Sequence, residues 1–170
     1  MSLLTVLFFL YIAVSSFTDL KYRKVYNVVT LPAVVLGIGF NFLYFGLPGL
    51  KNSIFGFLAG FLILFIFFVW GGVGPGDVKF LAGAGALAGL ETLVMGALYG
   101  AIIAGVYVVF FIIVKKDFKK TLDRLGGFFR AVYLRQPPDM NLTGGGVKHP
   151  YALFLSIGLL LRWLEINYWI

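Results

Sequence analysis

Two aspartates lie beside long apolar stretches of this chain, and their positions suggest a paired carboxylate site. Asp19 closes the first apolar stretch, and Asp77 lies between two later ones. A charge at membrane depth is costly, so carboxylates in such places usually serve a function. When two carboxyl groups lie close together, one keeps a proton while the other activates water. The pair therefore predicts hydrolytic chemistry.

The ends of the predicted helices favour different protonation states for the two aspartates. Asp77 begins a helix, whose positive end favours the anion, whereas Asp19 ends one, whose negative end favours the neutral acid. Our hypothesis is that Asp77 polarises the water and that Asp19 carries the proton. Arg23 lies one helical turn after Asp19, and its positive charge favours the ionised form of Asp19 instead. The two carboxyl groups of a coupled pair also titrate as a unit. The assignment therefore stays open at this point.

The composition places these residues in a membrane protein. Of the 170 residues, 61% are hydrophobic and 12% are charged, and the mean hydropathy is +0.97, so lipid must be the main solvent. Helices satisfy their own backbone in lipid, and a barrel would show shorter, alternating segments. We predict an all-α integral membrane protein whose single domain covers residues 1–170. Its bundle of six transmembrane helices is expected at Ser2–Thr18, Val28–Leu47, Ile54–Val73, Val78–Leu90, Leu93–Val114 and Tyr151–Trp169.

The distribution of basic residues predicts the orientation of this bundle. Twelve of the 14 Lys and Arg residues lie in the first, third and fifth loops or directly beside them, and the two exceptions are Lys51 and Arg162. The positive-inside rule then places these three loops in the cytoplasm, both termini outside, and Asp19 and Asp77 on the cytoplasmic side. The same rule accounts for the net charge of +7, so the bilayer is the expected partner of these cations and nucleic acid is not.

The fifth loop, from Lys115 to His149, predicts a further helix. Its apolar residues recur at helical spacing with basic residues between them, which is typical of a helix on the membrane surface. We expect this interfacial helix on the cytoplasmic side, between transmembrane helices five and six. Pairs of glycines four residues apart predict that helices three, four and five approach closely. These pairs are Gly56 and Gly60, Gly85 and Gly89, and Gly96 and Gly100.

The sequence around each aspartate forms a motif. The first runs Asp19-Leu20-Lys21-Tyr22-Arg23-Lys24-Val25-Tyr26-Asn27, and the second runs Gly74-Pro75-Gly76-Asp77-Val78-Lys79. Together they resemble the motifs of the type IV prepilin peptidases, which are membrane aspartic endopeptidases of the Gly-x-Gly-Asp class with a six-helix core. The resemblance covers nearly the whole chain. Tyr26 stands where the family usually has proline, while Asp19, Arg23 and Asn27 stay in register.

The resemblance implies an activity and a set of site residues. Asp19 and Asp77 would be the catalytic dyad, and the matched positions Gly74, Gly76, Lys79, Arg23 and Asn27 would bind substrate or shape the site. The substrate would be a pilin-like or preflagellin precursor, cut after the glycine that ends a short basic leader. The enzyme would lie in the cytoplasmic (inner) membrane of a prokaryote. It would be a short form that lacks the methyltransferase domain of larger members, and the source could be bacterial or archaeal.

Two other classes of function compete with this interpretation. In a small channel or transporter, the two aspartates would bind a cation or relay protons. In a scaffold protein, the glycine-rich helix faces would suffice, but the two motifs would have no role. The chain has no cysteine and one histidine, His149, so we expect no metal site and no cofactor. The sequence does not predict the oligomeric state.

Overall fold

The computed structural model describes residues 3–69, 73–115 and 151–168. These residues form helices and no strand, which confirms the all-α prediction. The helices are α1 (Leu3–Tyr22), α2 (Asn27–Val69), α3 (Pro75–Ala88), α4 (Leu90–Lys115) and α5 (Tyr151–Tyr168). Three helical segments within the described ranges are long and apolar enough to cross a membrane, namely Leu3–Tyr22, Asn27–Val69 and Leu90–Phe110. The predicted interfacial helix and His149 lie outside the described residues.

Helix α2 is broken at Gly46. This residue has φ 62° and ψ −146° inside an otherwise helical run, a conformation that glycine adopts without the steric penalty of a side chain. Pro48 follows in the first turn of the next helical segment, where its missing N–H has no helical partner to lose. The sequence predicted a loop at residues 48–53. The break instead occurs at a single glycine, and the helix resumes at once.

The chain folds back on itself at this break. Asn41 before the break and Ser53 after it both donate side-chain hydrogen bonds to the carbonyl oxygen of Ala86 in α3. On one straight helix these two residues would be about 18 Å apart. Helix α2 therefore consists of two arms, residues 27–45 and residues 47–69, that both pack against α3.

Helix α3 is short and central. It has 14 residues and so extends about 21 Å, less than the roughly 30 Å of a hydrocarbon core, as the sequence predicted. It contacts every other described helix, and Phe80 and Leu81 are fully buried. It ends at Gly89, which has φ 81°, and Asn52 accepts a hydrogen bond from the Leu90 N–H across this turn. The first turn of α3 is therefore held at one end of a tightly packed core.

Glycines allow the closest helix contacts. A Cβ atom at Gly56 would collide with the Gly85 carbonyl, and one at Gly85 would collide with the Gly56 carbonyl. This confirms the predicted approach of the second arm of α2 to α3. The predicted partner of Gly96 and Gly100 was wrong. These glycines face α5, where Gly158 lies against their backbone. The pattern correctly predicted a close contact, but the partner helix is set by the tertiary fold.

The end of the bundle away from Asp77 contains a group of ion pairs and a cavity. Arg162 of α5 is buried, with ion pairs of 2.6 Å to Glu91 and 2.8 Å to Glu165, and Tyr99 donates a hydrogen bond to Glu165. A cavity of about 640 Å³ opens at the same end, lined by the starts of α1 and α4, the region around the break in α2, and the ends of α3 and α5. Both features lie at the end of α3 opposite to Asp77.

Candidate active site

Asp77 lies in the first turn of α3. Gly74 is the N-cap, Pro75 occupies the first helical position, and the Asp77 Oδ2 accepts a hydrogen bond of 3.3 Å from the Gly74 N–H. An acidic side chain at the third helical position stabilises a helix start in this way. A Cβ atom at Gly74 would lie 3.3 Å from the same oxygen. Glycine at this position therefore leaves room around the carboxylate.

Asp19 lies in the last turn of α1. The helix ends at Tyr22, and the next residue, Arg23, has φ 54° and donates its N–H in a hydrogen bond of 2.8 Å to the Asp19 carbonyl oxygen. A residue in the left-handed conformation commonly follows the last turn of a helix, although it is usually glycine. The guanidinium group of Arg23 interacts electrostatically with the Asp19 carboxylate. The predicted site residue Arg23 is therefore near Asp19.

The two motifs meet at the segment that joins α1 to α2. A Cβ atom at Gly76 would lie 3.3 Å from the Val25 backbone nitrogen and 3.7 Å from the Val25 Cβ, and Val25 is buried. A larger residue at position 76 would therefore need the segment after Asp19 to move by a few tenths of an ångström. Gly76 is thus a packing residue between the motifs.

The segment between α1 and α2 forms a turn with Tyr26 at the position where the motif was expected to have proline. The Tyr26 carbonyl accepts hydrogen bonds from the Val29 and Thr30 N–H groups at the start of α2. The Tyr26 ring packs edge-on against the Tyr22 ring, with the ring centroids 6.2 Å apart. Tyr26 therefore joins the end of α1 to the start of α2. Asn27, another predicted site residue, begins α2 and is exposed.

The carboxyl groups of Asp19 and Asp77 come together under the first turn of α5. Each aspartate is only 8% exposed, and the two carboxyl groups lie close enough for their charges to interact. The backbone N–H of Ala152 lies near both carboxyl groups. Amides in the first turn of a helix have no intrahelical acceptor, so α5 brings an available donor to the pair. Within the described residues, the Asp19 Oδ2 is buried without a hydrogen-bond partner.

Other residues near the site were not predicted from the sequence. The Tyr11 hydroxyl donates to the carbonyl oxygens of Lys79 and Phe80. The predicted site residue Lys79 therefore contacts α1 through its backbone carbonyl oxygen. Tyr151 interacts electrostatically with Asp77. Tyr11 and Asp19 are polar residues at helical spacing in an apolar span, and this signal could have identified α1 as the helix that contacts α3. Nothing in the sequence singles out Ala152.

Comparison with known proteins decides the family. Residues 5–109, more than half of the chain, match the sequence model of the type IV leader peptidase family. This chain belongs to that family. As a family member with three long apolar helical segments, it is an integral membrane protein, as its composition predicted.

A curated relative supports the same assignment. Over 97 residues this leader peptidase family member is 36% identical to the prepilin leader peptidase/N-methyltransferase of Escherichia coli strain K12. The match covers 52% of this chain and 42% of the relative, so the chain spans less than half of that protein. No solved structure gives a significant match.

The contact between the motifs can be tested with a disulfide. The chain contains no cysteine, and the 3.7 Å between Cβ positions at Val25 and Gly76 is close to the roughly 3.8 Å of a disulfide. We expect Val25→Cys/Gly76→Cys to cross-link under mild oxidation, detected by mass spectrometry of an unreduced digest. In the control, Val25→Cys/Gly39→Cys should stay reduced, because Gly39 has no neighbouring atom within 4 Å. Equal cross-linking of both pairs would contradict the site geometry.

Proposed function

We propose that this chain is an aspartic endopeptidase that removes the short basic leader from pilin-like precursors, using Asp19 and Asp77 to activate water. The observation that carries the proposal is the approach of these two buried carboxyl groups, which lie 58 residues apart in the sequence. Family membership supports the reaction class. The relative's name supports the kind of precursor, although the match covers only 42% of that protein.

The proposed chemistry uses the carboxyl groups in different protonation states. One carboxylate takes a proton from water as the water oxygen attacks the scissile carbonyl carbon. The other carboxyl group donates a hydrogen bond to the carbonyl oxygen as charge develops there. The proton then passes to the departing amine as the peptide bond breaks. The position of the Ala152 N–H supports this arrangement, because a donor near both groups would stabilise a single negative charge shared by the pair.

The proposed topology has six transmembrane passes in the inner membrane of a prokaryote. The two arms of α2 account for passes two and three, since they fold back on each other at Gly46. The distribution of basic residues places the aspartates on the cytoplasmic side and both termini outside. The basic segment between Lys115 and His149 would form the interfacial helix on the same side. A precursor leader would then reach the site from the cytoplasm.

The test is cleavage of a pilin-like precursor reconstituted with the purified enzyme in proteoliposomes. We expect the wild type to produce one shorter product, whose N-terminus, read by sequencing, follows the leader glycine. The same vesicles are assayed for proton and cation flux with dyes. Flux without cleavage, across several precursors with different leaders, would contradict the peptidase proposal and support the channel interpretation.

A further inference from the structure

A pair of buried serines links α1 to α5. Ser16 is 9% exposed and Ser156 is 3% exposed, and their Oγ atoms are 2.6 Å apart. The Ser156 hydroxyl donates a 2.6 Å hydrogen bond to the Ala152 carbonyl oxygen. A serine hydroxyl has one hydrogen, so Ser16 must donate to Ser156. The two hydroxyls thus form a directed chain from α1 to the first turn of α5.

This chain runs beside the aspartates. Ser16 is three residues before Asp19, and Ser156 is four residues after Ala152, so each serine shares a helix face with its partner in the site. Further from the site, Phe9 of α1 packs edge-on against Trp163 of α5 with the ring centroids 4.8 Å apart. Helices α1 and α5 are therefore antiparallel in a fixed register, with the serine contact next to the carboxyl groups.

We infer that Ser16 and Ser156 are positioning residues for the aspartate pair. They fix the first turn of α5 on α1 and so keep the Ala152 N–H beside the two carboxyl groups. This inference rests on the proposed function, because it assigns the serines a part in the same reaction. The serine contact is not needed to keep α5 packed in the bundle. Gly158 already holds α5 against Gly96 and Gly100 of α4, so α5 remains in the bundle without the serine contact.

The physical reason is the sensitivity of the reaction to geometry. Two carboxyl groups share one proton and one water productively only over a narrow range of separations, and small displacements in an active site lower rates strongly. Without the hydroxyl contact, the first turn of α5 can shift relative to α1, and the donor to one or both carboxyl groups is weakened. The fold would survive this shift, while the chemical step would slow.

The experiment compares kcat and KM of Ser16→Ala, Ser156→Ala and the double variant in proteoliposomes, each corrected for the fraction of folded protein. We expect each single variant to lose roughly fivefold to tenfold in kcat, a typical effect of one buried hydrogen bond, with KM unchanged. The double variant should be no slower than Ser156→Ala, because the hydroxyls act as one chain. Ser16→Thr keeps the hydroxyl and should recover most of the rate.

The matched control is Ser53→Ala. Ser53 is also fully buried and donates to a backbone carbonyl, but this carbonyl belongs to Ala86 at the far end of α3. Its loss should lower the unfolding midpoint as much as Ser156→Ala does and leave kcat near that of the wild type. If Ser16→Ala and Ser156→Ala match Ser53→Ala in kcat, the positioning role is wrong, although the peptidase proposal stands. Undiminished cleavage by folded Asp77→Asn would instead refute the proposed function.

Discussion

Asp77→Asn is expected to abolish precursor cleavage while leaving the protein folded. Asparagine keeps a side-chain oxygen that can accept the Gly74 N–H, so the start of α3 should form as in the wild type. It provides neither the negative charge nor the proton that the carboxyl pair needs. We expect the single-turnover rate to fall by at least about 10³-fold, as when an essential group of a catalytic unit is removed. Product formation is followed by mass spectrometry, and folding by the unfolding midpoint in detergent.

The matched control for Asp77→Asn is Glu91→Gln at the opposite end of the bundle. The Glu91 side chain is 78% exposed, and Arg162 keeps its second partner, Glu165. Glutamine keeps a side-chain oxygen that can accept the Arg162 N–H, and this position lies at the end of α3 away from Asp77, so cleavage by Glu91→Gln should match the wild type. An equal loss of rate in both variants would show that any carboxylate substitution impairs this protein, and the specific role of Asp77 would be contradicted.

Gly85→Ala is expected to prevent the native packing of the bundle. A Cβ atom at this position collides with the Gly56 carbonyl, and backbone atoms of a packed helix cannot move aside as a flexible side chain can. The helices would have to separate along the whole contact between α3 and the second arm of α2. We expect a loss of about 3 kcal/mol or more in unfolding free energy, at the upper end of overpacking effects. The measurement is size-exclusion chromatography after graded heating in detergent.

Gly39→Ala and Gly105→Ala are the controls for this packing effect. An added Cβ atom at either position meets no atom within 4 Å, and alanine favours a helix over glycine. Both variants should unfold at or above the wild-type temperature. If Gly85→Ala also unfolds near the wild-type temperature, the close approach of α3 to α2 is wrong.

The helical architecture could be predicted largely from the sequence, because lipid permits few backbone structures. The short helix after Asp77 was predicted from the length of its apolar run, and the structure confirms it. The break in α2 was not predicted at the correct residue. A reversal at one glycine needs no polar loop, so hydropathy alone does not show whether the chain turns at Gly46 or in the more polar residues 48–53.

The two aspartates of the candidate site could be predicted because carboxylates in apolar surroundings are rare. The contribution of α5 could not. The proposed role of Ala152 uses its backbone N–H, which every residue except proline has, and the Ser16 and Ser156 hydroxyls resemble ordinary helix-packing groups. Their proximity depends on how helices 140 residues apart in the sequence pack together. This information is in the tertiary fold and in no local pattern.

The measurement that tests the central claim most directly is single-turnover cleavage of the precursor by Asp19→Asn. The claim is that two carboxyl groups form one catalytic unit, and Asp19 lies in the motif that departs from the family pattern at Tyr26. We predict a folded Asp19→Asn variant that forms no product above the uncatalysed background, under conditions in which the wild type cleaves fully. Cleavage by this variant at a rate near that of the wild type would contradict the claim, because Asp77 would then act without Asp19.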